Sequence, residues 1–346
     1  MPLRKPSDSR PQISQVSPPA AIAGGELQIR GKGFARQDPP RVVIGEIGAP
    51  IIIGSDSFVI ARVPEGATAG ELVVESGGVA SDSWACDIGV LVAEALHPVA
   101  NPAVDAFGNI YTTFSGSRGQ KVPVAVYRID LNFNMKPFIN ELMNATALAF
   151  DRQGLLYISS RYDGFVYQVT PNGSMSVHVE GMGVATGLAF DKDGNLYVGD
   201  RSGTIFKISP SKGIFVFATL EPSIAAYHLA FGPDDYLYVT GPTTSSFDSI
   251  HRISSEGRVE VFYRGLGRPQ GMAFDHEGNL YVAASLAGKR GIVRINEAGQ
   301  ASLEVAGSGL VGIAFAPGRS AVLATTNAVH HLAWNIQGAP LVDLAV

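Results

Sequence analysis

The sequence predicts an all-β chain in which a small β-sandwich precedes a six-bladed β-propeller. Three observations carry that prediction. A stretch exemplified by GLAFDKDGNLYVGD (187–200) returns six times at a spacing of 40–46 residues, the period of a propeller or solenoid repeat. Glycine makes up 40 of 346 residues, as a chain with many tight turns requires. No segment joins a helical apolar period to helix caps.

The elements follow in order. Residues 1–10 (MPLRKPSDSR) are expected to form a flexible N-terminal tail. Residues 11–93 hold the short runs ELQIRGKGF, RVVIGEI, FVIARVP and GELVVES, broken by Gly, Pro and Asp. Strands this short and closely spaced predict a sandwich. Residues 97–346 hold the repeat: NPAVDAFGNIYTT (101–113), TALAFDRQGLLYISS (146–160), TGLAFDKDGNLYVGD (186–200), YHLAFGPDDYLYVTG (227–241), QGMAFDHEGNLYVAA (270–284) and VGIAFAPGRSAVLAT (311–325). Its matching aromatics are Tyr111, Tyr157, Tyr197, Tyr238 and Tyr281, with Leu323 expected in the sixth place.

A second echo follows the first five copies: VYRI, VYQV, IFKI, IHRI and IVRI, each with a turn and another apolar run behind it. That makes four short strands per unit, as in a propeller blade. The LAF strands are apolar at successive positions, which suits strands covered on both faces. Ala149, Ala189, Ala230 and Ala314 suit a crowded innermost strand. Blade 6 is expected to complete itself through AVHHLAW and APLVDLAV, so that the ring closes by blade-on-blade packing.

Composition excludes several roles. Net charge is −5 with no long basic run, which argues against nucleic acid as a partner. No run of about 18 apolar residues is present, so no membrane-spanning helix is expected. The single cysteine, Cys86, cannot form an intramolecular disulfide. The N-terminus lacks the apolar core of a signal peptide. The default location is cytoplasmic, although an exported form with its signal removed would read the same.

Two resemblances add to this. PQISQVSPPAAIAGGELQIRGKGF, with its P-x-I-x-x-V-x-P opening, Gly-Gly and I-x-G-x-G-F strand end, resembles the IPT/TIG family, as does VPEGATAGELVVES. The resemblance implies an immunoglobulin-like fold used for binding or spacing. The repeat resembles the NHL and SMP-30/gluconolactonase-like propellers over about 97–346. Metal-dependent lactonases of that group hold a divalent cation through a Glu in E-G-P-V-W, an Asn in N-G-L and an Asp in P-D-G-M. Here the first position falls on Ala100 and the third on Gln270. The six equivalent slots are Ala100, Thr146, Thr186, Tyr227, Gln270 and Val311, with no carboxylate among them. A hard cation takes oxygen ligands, usually including carboxylates, so neither a metal nor another cofactor is expected.

Remaining chemistry is sparse. DKDGN (191–195) reads as a hairpin turn with Gly194 at positive φ; the copies DRQG and APGR drop the acids of a calcium loop. His330 and His331 are adjacent in a strand and point to opposite faces, so they do not share a metal. Cys86 reads as a buried bystander. There is no G-x-S-x-G, Walker loop, H-E-x-x-H or C-x-x-C pair, and no catalytic residue is assigned.

Loops entering strand A and leaving strand B of a blade open on one end of the propeller. Asn101, Arg161, Asp200, Arg201, Tyr227, His228 and Gln270 fall there and are the candidate ligand contacts, with Arg118, Lys121, Lys289 and Arg290 nearby. Arginine pairs well with carboxylates and phosphates. The expected function is a non-catalytic ligand- or protein-binding scaffold, with a polar or anionic small molecule at the axial mouth. The alternative is a lactonase-like hydrolase or a lyase working without the family's metal, with His228 as acid–base. A structural propeller whose sandwich makes the contacts is the third possibility.

Overall fold

Alternating burial builds the first unit, residues 1–90 with 303–308. In Glu26–Lys32 the side chains of Leu27 and Ile29 turn inward while Glu26 and Arg30 face solvent, the signature of a sheet with one wet face. The computed structural model describes residues 10–35, 38–68, 70–117, 119–245 and 247–339. The tail expectation for 1–10 therefore lies outside the described residues, apart from Arg10. Gln12–Ser17, Glu26–Lys32, Phe58–Arg62 and Ile51–Gly54 form one antiparallel sheet in that spatial order. A second layer pairs Arg41–Ile44 with Ile47–Ala49 and with Gly70–Ser76, which continues to Trp84–Cys86. Between the layers lie Leu27, Ile29, Phe34, Ile44, Val59, Leu72, Val74, Cys86 and Ile88. This is the Ig-like sandwich. Burial pushes the Cys86 thiol up to about 12, so it stays protonated and unreactive at neutral pH.

The second unit, residues 91–302 with 309–346, is the six-bladed β-propeller. Blades 1–4 are antiparallel four-stranded sheets in sequence order. Blade 3, for example, comprises Ala185–Phe190, Leu196–Asp200, Thr204–Ile208 and Ile214–Thr219. Blade 5 contains Met272–Phe274, Leu280–Leu286 and Lys289–Ile295. Blade 6 contains Leu310–Ala316, Ser320–Thr325 and Val329–Ala333.

The repeated residues explain the packing. Each hairpin tyrosine stands opposite the alanine of its own inner strand, as in Ala189↔Tyr197. That small partner leaves room for the next blade's LAF phenylalanine. Tyr111–Phe150, Tyr157–Phe190, Tyr197–Phe231, Tyr238–Phe274 and Tyr281–Phe315 meet edge to face, with ring centroids 4.8–5.3 Å apart, a favoured aromatic geometry. The hairpin aspartate holds the turn. Asp191 Oδ1 accepts from the backbone N–H groups of Asp193 and Asn195, and its Oδ2 accepts from Asn195 Nδ2 and Tyr197 Oη. Gly194 has φ +80°, as the hairpin reading requires.

Two expectations need correction. The sixth residue in the tyrosine place is Val322, which pairs with Ala314, and not Leu323. Blade 6 also does not supply all its own strands. Val329–Ala333 is flanked by the strand Trp84–Ala93, whose last three residues belong to this unit, and Leu96 N–H donates to the Asn327 carbonyl at 3.0 Å. The ring is thus fastened by a strand that precedes blade 1. Such pairing satisfies an edge that packing alone would leave open. The segment expected to do this instead, APLVDLAV, lies outside the described residues except Ala339, whose N–H donates to the Phe274 carbonyl. At the seam, Val104 and Val322 share an aliphatic cluster with Ala93, Ala314 and Val329.

Candidate functional site

The axial mouth is assembled from the starts of the inner strands and the loops around them. All six slots, Ala100, Thr146, Thr186, Tyr227, Gln270 and Val311, are buried. The polar ones are engaged within their own blade and, at Thr186, with the next one. Thr186 Oγ1 donates to Gly199 O and accepts from Tyr227 N–H at 3.1 Å. Thr240 Oγ1 donates to Gln270 O at 2.7 Å. Asn101 spans three blades: its Nδ2 donates to Met272 O at 2.8 Å and its Oδ1 accepts from Ile313 N–H at 3.1 Å.

The other sequence-predicted residues divide by blade. Asp200 is buried and accepts from Val184 N–H at 2.8 Å and from Ser202. Tyr227 Oη donates to the Glu221 carbonyl. Burial, with Glu221 and Asp200 nearby, pushes that phenol up to about 12. Arg161 Nη2 donates to Gly116 O at 2.9 Å. Arg201 is exposed, and its Nε donates to Ser223 O at 3.3 Å. Arg118 lies outside the described residues. Lys121 pairs with Glu141 at 3.8 Å.

His228, Gln270 and Arg290 come together between blades 4 and 5. His228 stands opposite Thr240, whose hydroxyl donates to Gln270 O. Its Nε2 is buried without a hydrogen-bond partner. Burial, and then the charge of Arg290, hold this imidazole down at about 3, so it is neutral near pH 7. The Arg290 guanidinium donates to Leu310 O, to Arg268 O at 2.8 Å and to Gln270 Oε1 at 2.5 Å. All these acceptors are neutral. Burial, with Arg268 adding repulsion, lowers its pKa to about 10. Fixing Gln270 Oε1 on Arg290 leaves the amide's NH₂ directed away from the guanidinium. Sequence pattern drew attention to Arg290 only as one loop cation among several. Its central place depends on carbonyls from residues 267–268 and 310, which no local motif reveals.

Among the described residues no carboxylate forms an ion pair with Arg201 or Arg290. Arg290 is partly buried and Arg201 exposed. Acids in the same loops accept from neutral donors nearby. Asp163 accepts from Phe165 N–H and Tyr167 Oη, and Asp248 accepts from Thr243. Among the described residues no cluster of three His, Cys, Asp or Glu side chains is arranged to hold a metal ion, and no helix is long and apolar enough to cross a membrane.

Comparison with known proteins supports both folds. Residues 11–83 match the IPT/TIG domain family. A search of curated protein sequences finds no significant match. A gluconolactonase-like protein superposes with TM-score 0.61 at 16% identity, covering 73% of this chain and 94% of its own. An auxiliary nutrient binding protein from Bacteroides thetaiotaomicron gives TM-score 0.57 at 12% identity, covering 94% and 98%. The virginiamycin B lyase of Staphylococcus aureus, as a catalytically inactive histidine-to-alanine variant with quinupristin, gives 0.52 at 13%, covering 94% and 96%. At such identities the likeness is one of fold.

Proposed function

We propose that this chain is a non-catalytic binding scaffold whose propeller takes a polar or anionic small molecule at the axial mouth, with the Ig-like module as an accessory. The observation that carries the reading is that Arg290 and Arg201 donate to neutral oxygens and make no ion pair among the described residues. Arg201, Arg161, His228 and the Gln270 amide are the contacts assigned to the ligand. Asn101, Asp200 and Tyr227 shape the mouth around it. The nutrient-binding description of one structural neighbour is in keeping with this reading.

The alternative, a lactonase-like hydrolase or a lyase, would use His228 as its acid–base. One neighbouring lyase is inactive as a histidine-to-alanine variant. In this chain, however, His228 titrates at about 3. Efficient proton transfer needs a pKa near the working pH, so this imidazole is a feeble base at neutrality. No metal or organic cofactor enters the proposal.

The test is a thermal-shift screen of the full chain against sugar acids, lactones and divalent cations, with Arg201→Ala and His228→Ala in parallel. A ligand present at 100 times its Kd stabilises the folded state by about 2.7 kcal/mol. An anionic compound is expected to raise the Tm of the wild type, with the shift lost in Arg201→Ala. Silence from every anion would overturn the reading. A shift from a divalent cation alone would restore the metal-dependent alternative.

A further inference from the structure

Two large apolar side chains are exposed on loops that are bonded to each other, one of which also receives Arg201. Phe247 is 67% exposed and Ile224 51%. Single exposed apolar residues are ordinary, so their exposure alone decides nothing. Their setting does. Arg201 Nε donates to Ser223 O at 3.3 Å. Ser223 Oγ donates to Pro242 O at 2.8 Å, and Ile224 N–H donates to the same carbonyl at 2.9 Å. These bonds lock the loop leaving blade 3's second strand, the link into blade 4 and the loop leaving blade 4's second strand.

The Phe247 loop is itself a built feature. Buried Asp248 accepts from Thr243 N–H and Thr243 Oγ1 at 2.9 and 2.8 Å. Thr243 Oγ1 in turn accepts from Ser245 N–H at 3.1 Å, and Ser245 Oγ accepts from Phe247 N–H at 3.2 Å. The N–H groups of Thr243, Ser245 and Phe247 are bonded within the loop, while Phe247 itself is exposed. A loop ordered this way shows an aromatic ring at low entropic cost to a ligand. The ring and Ile224 are anchored in the same network as a guanidinium that makes no ion pair among the described residues.

We propose that the ligand of this mouth is an amphiphilic carboxylate: a carboxyl group received by Arg201, carried on a large apolar body that covers Ile224 and Phe247. A short peptide ending in a bulky apolar residue has that chemistry; a sugar acid has only its charged half. The proposal rests on the anion-binding reading above and narrows it. Charge-assisted pairing with the guanidinium supplies orientation, and apolar contact with Ile224 and Phe247 supplies discrimination.

Isothermal titration of the full chain distinguishes the two levels. The probes are N-acetyl-Ala-Ala-Phe with a free carboxylate, the same peptide as its C-terminal amide, and glucuronate. The proteins are the wild type, Arg201→Gln, Phe247→Ser and Ile224→Ser. Both apolar positions are exposed, so their variants should keep the wild-type Tm. The peptide acid is expected to bind wild type, and to bind about tenfold more weakly to each variant. The amide should show the same loss on wild type. Glucuronate binding as tightly as the peptide acid, or a peptide affinity unmoved in Phe247→Ser and Ile224→Ser, would overturn the proposal and leave the anion site standing. An amide that binds as well as the acid would also overturn it. No binding by either carboxylate would overturn the anion reading together with it.

Discussion

Acidification from neutrality to about pH 5 is expected to cost the protein about 4 kcal/mol of unfolding free energy through two histidines, about 2 kcal/mol from each. His228 is held at about 3 and His330 at about 4, both mainly by burial. In the unfolded chain each titrates near 6.5. Below that value the unfolded state binds protons that the folded state refuses. Stability from these groups is therefore fully present above about pH 6.5 and is lost as the pH falls toward the folded values. Urea unfolding at a series of pH values measures this directly. His228→Leu and His330→Leu should each reduce the loss by about 2 kcal/mol, the rest coming from His178, His251 and His331, which burial also lowers. A stability that is flat over this range, or a slope that both variants retain, would show that the two imidazoles are solvated.

Asn101→Ala is expected to destabilise the propeller by about 2–6 kcal/mol, since it strands Met272 O and Ile313 N–H at about 1–3 kcal/mol apiece. Taking about 3 kcal/mol, the Tm should fall by about 6–12 °C for a unit of this size. The site is too tight for repair from next door. A Cβ at Gly271 would fall 1.9 Å from Asn101 Oδ1, and one at Gly312 would fall 2.7 Å from Asn101 Cα. Asn101→Asp keeps the acceptor but loses the donor to Met272, so it should recover only part of the loss. Calorimetry of both variants checks the expectation. Unchanged melting with weakened anion binding would instead make Asn101 a ligand contact.

The repeat was legible because the packing rule is local. Alanine, phenylalanine and tyrosine recur at fixed offsets, and each meets its neighbour's copy of the same pattern. The hairpin aspartates were legible for the same reason, since Asp191 bonds only within its own turn. Ring closure was hidden because the partner of Val329–Ala333 comes from the far side of the repeat, where no offset points to it. The sixth tyrosine place is hidden by one residue in a copy with an aliphatic there; only its pairing with Ala314 fixes Val322. The mouth was half legible. Residue type marked Asn101, Thr186, Tyr227 and Gln270 as polar, but their partners are set by the fold: those of Asn101 lie on blades 5 and 6, Thr186 is bonded within blade 3 and to blade 4, and Gln270 Oε1 is held by Arg290. Polarity that looked available to a ligand is in part consumed by neighbouring blades.

The borrowed strand in blade 6 gives the propeller a clasp, and a clasp has an order of assembly. Residues 91–93 are made before any blade exists, and their partner strand is made after nearly all of them. The Asn101–Ile313 bond beside the seam closes over 212 residues, so its entropy is spent before any return arrives. Blades can form one by one from local hairpins, but the circle forms last and as one event. The seam is also the join without a tyrosine–phenylalanine pair, since Val104 and Val322 stand there. Pulse-labelled hydrogen exchange during refolding should therefore find the amides around Val104 and Val322 protected after those of blades 2–4, and early protection at the seam would argue that the ring closes first and fills in later.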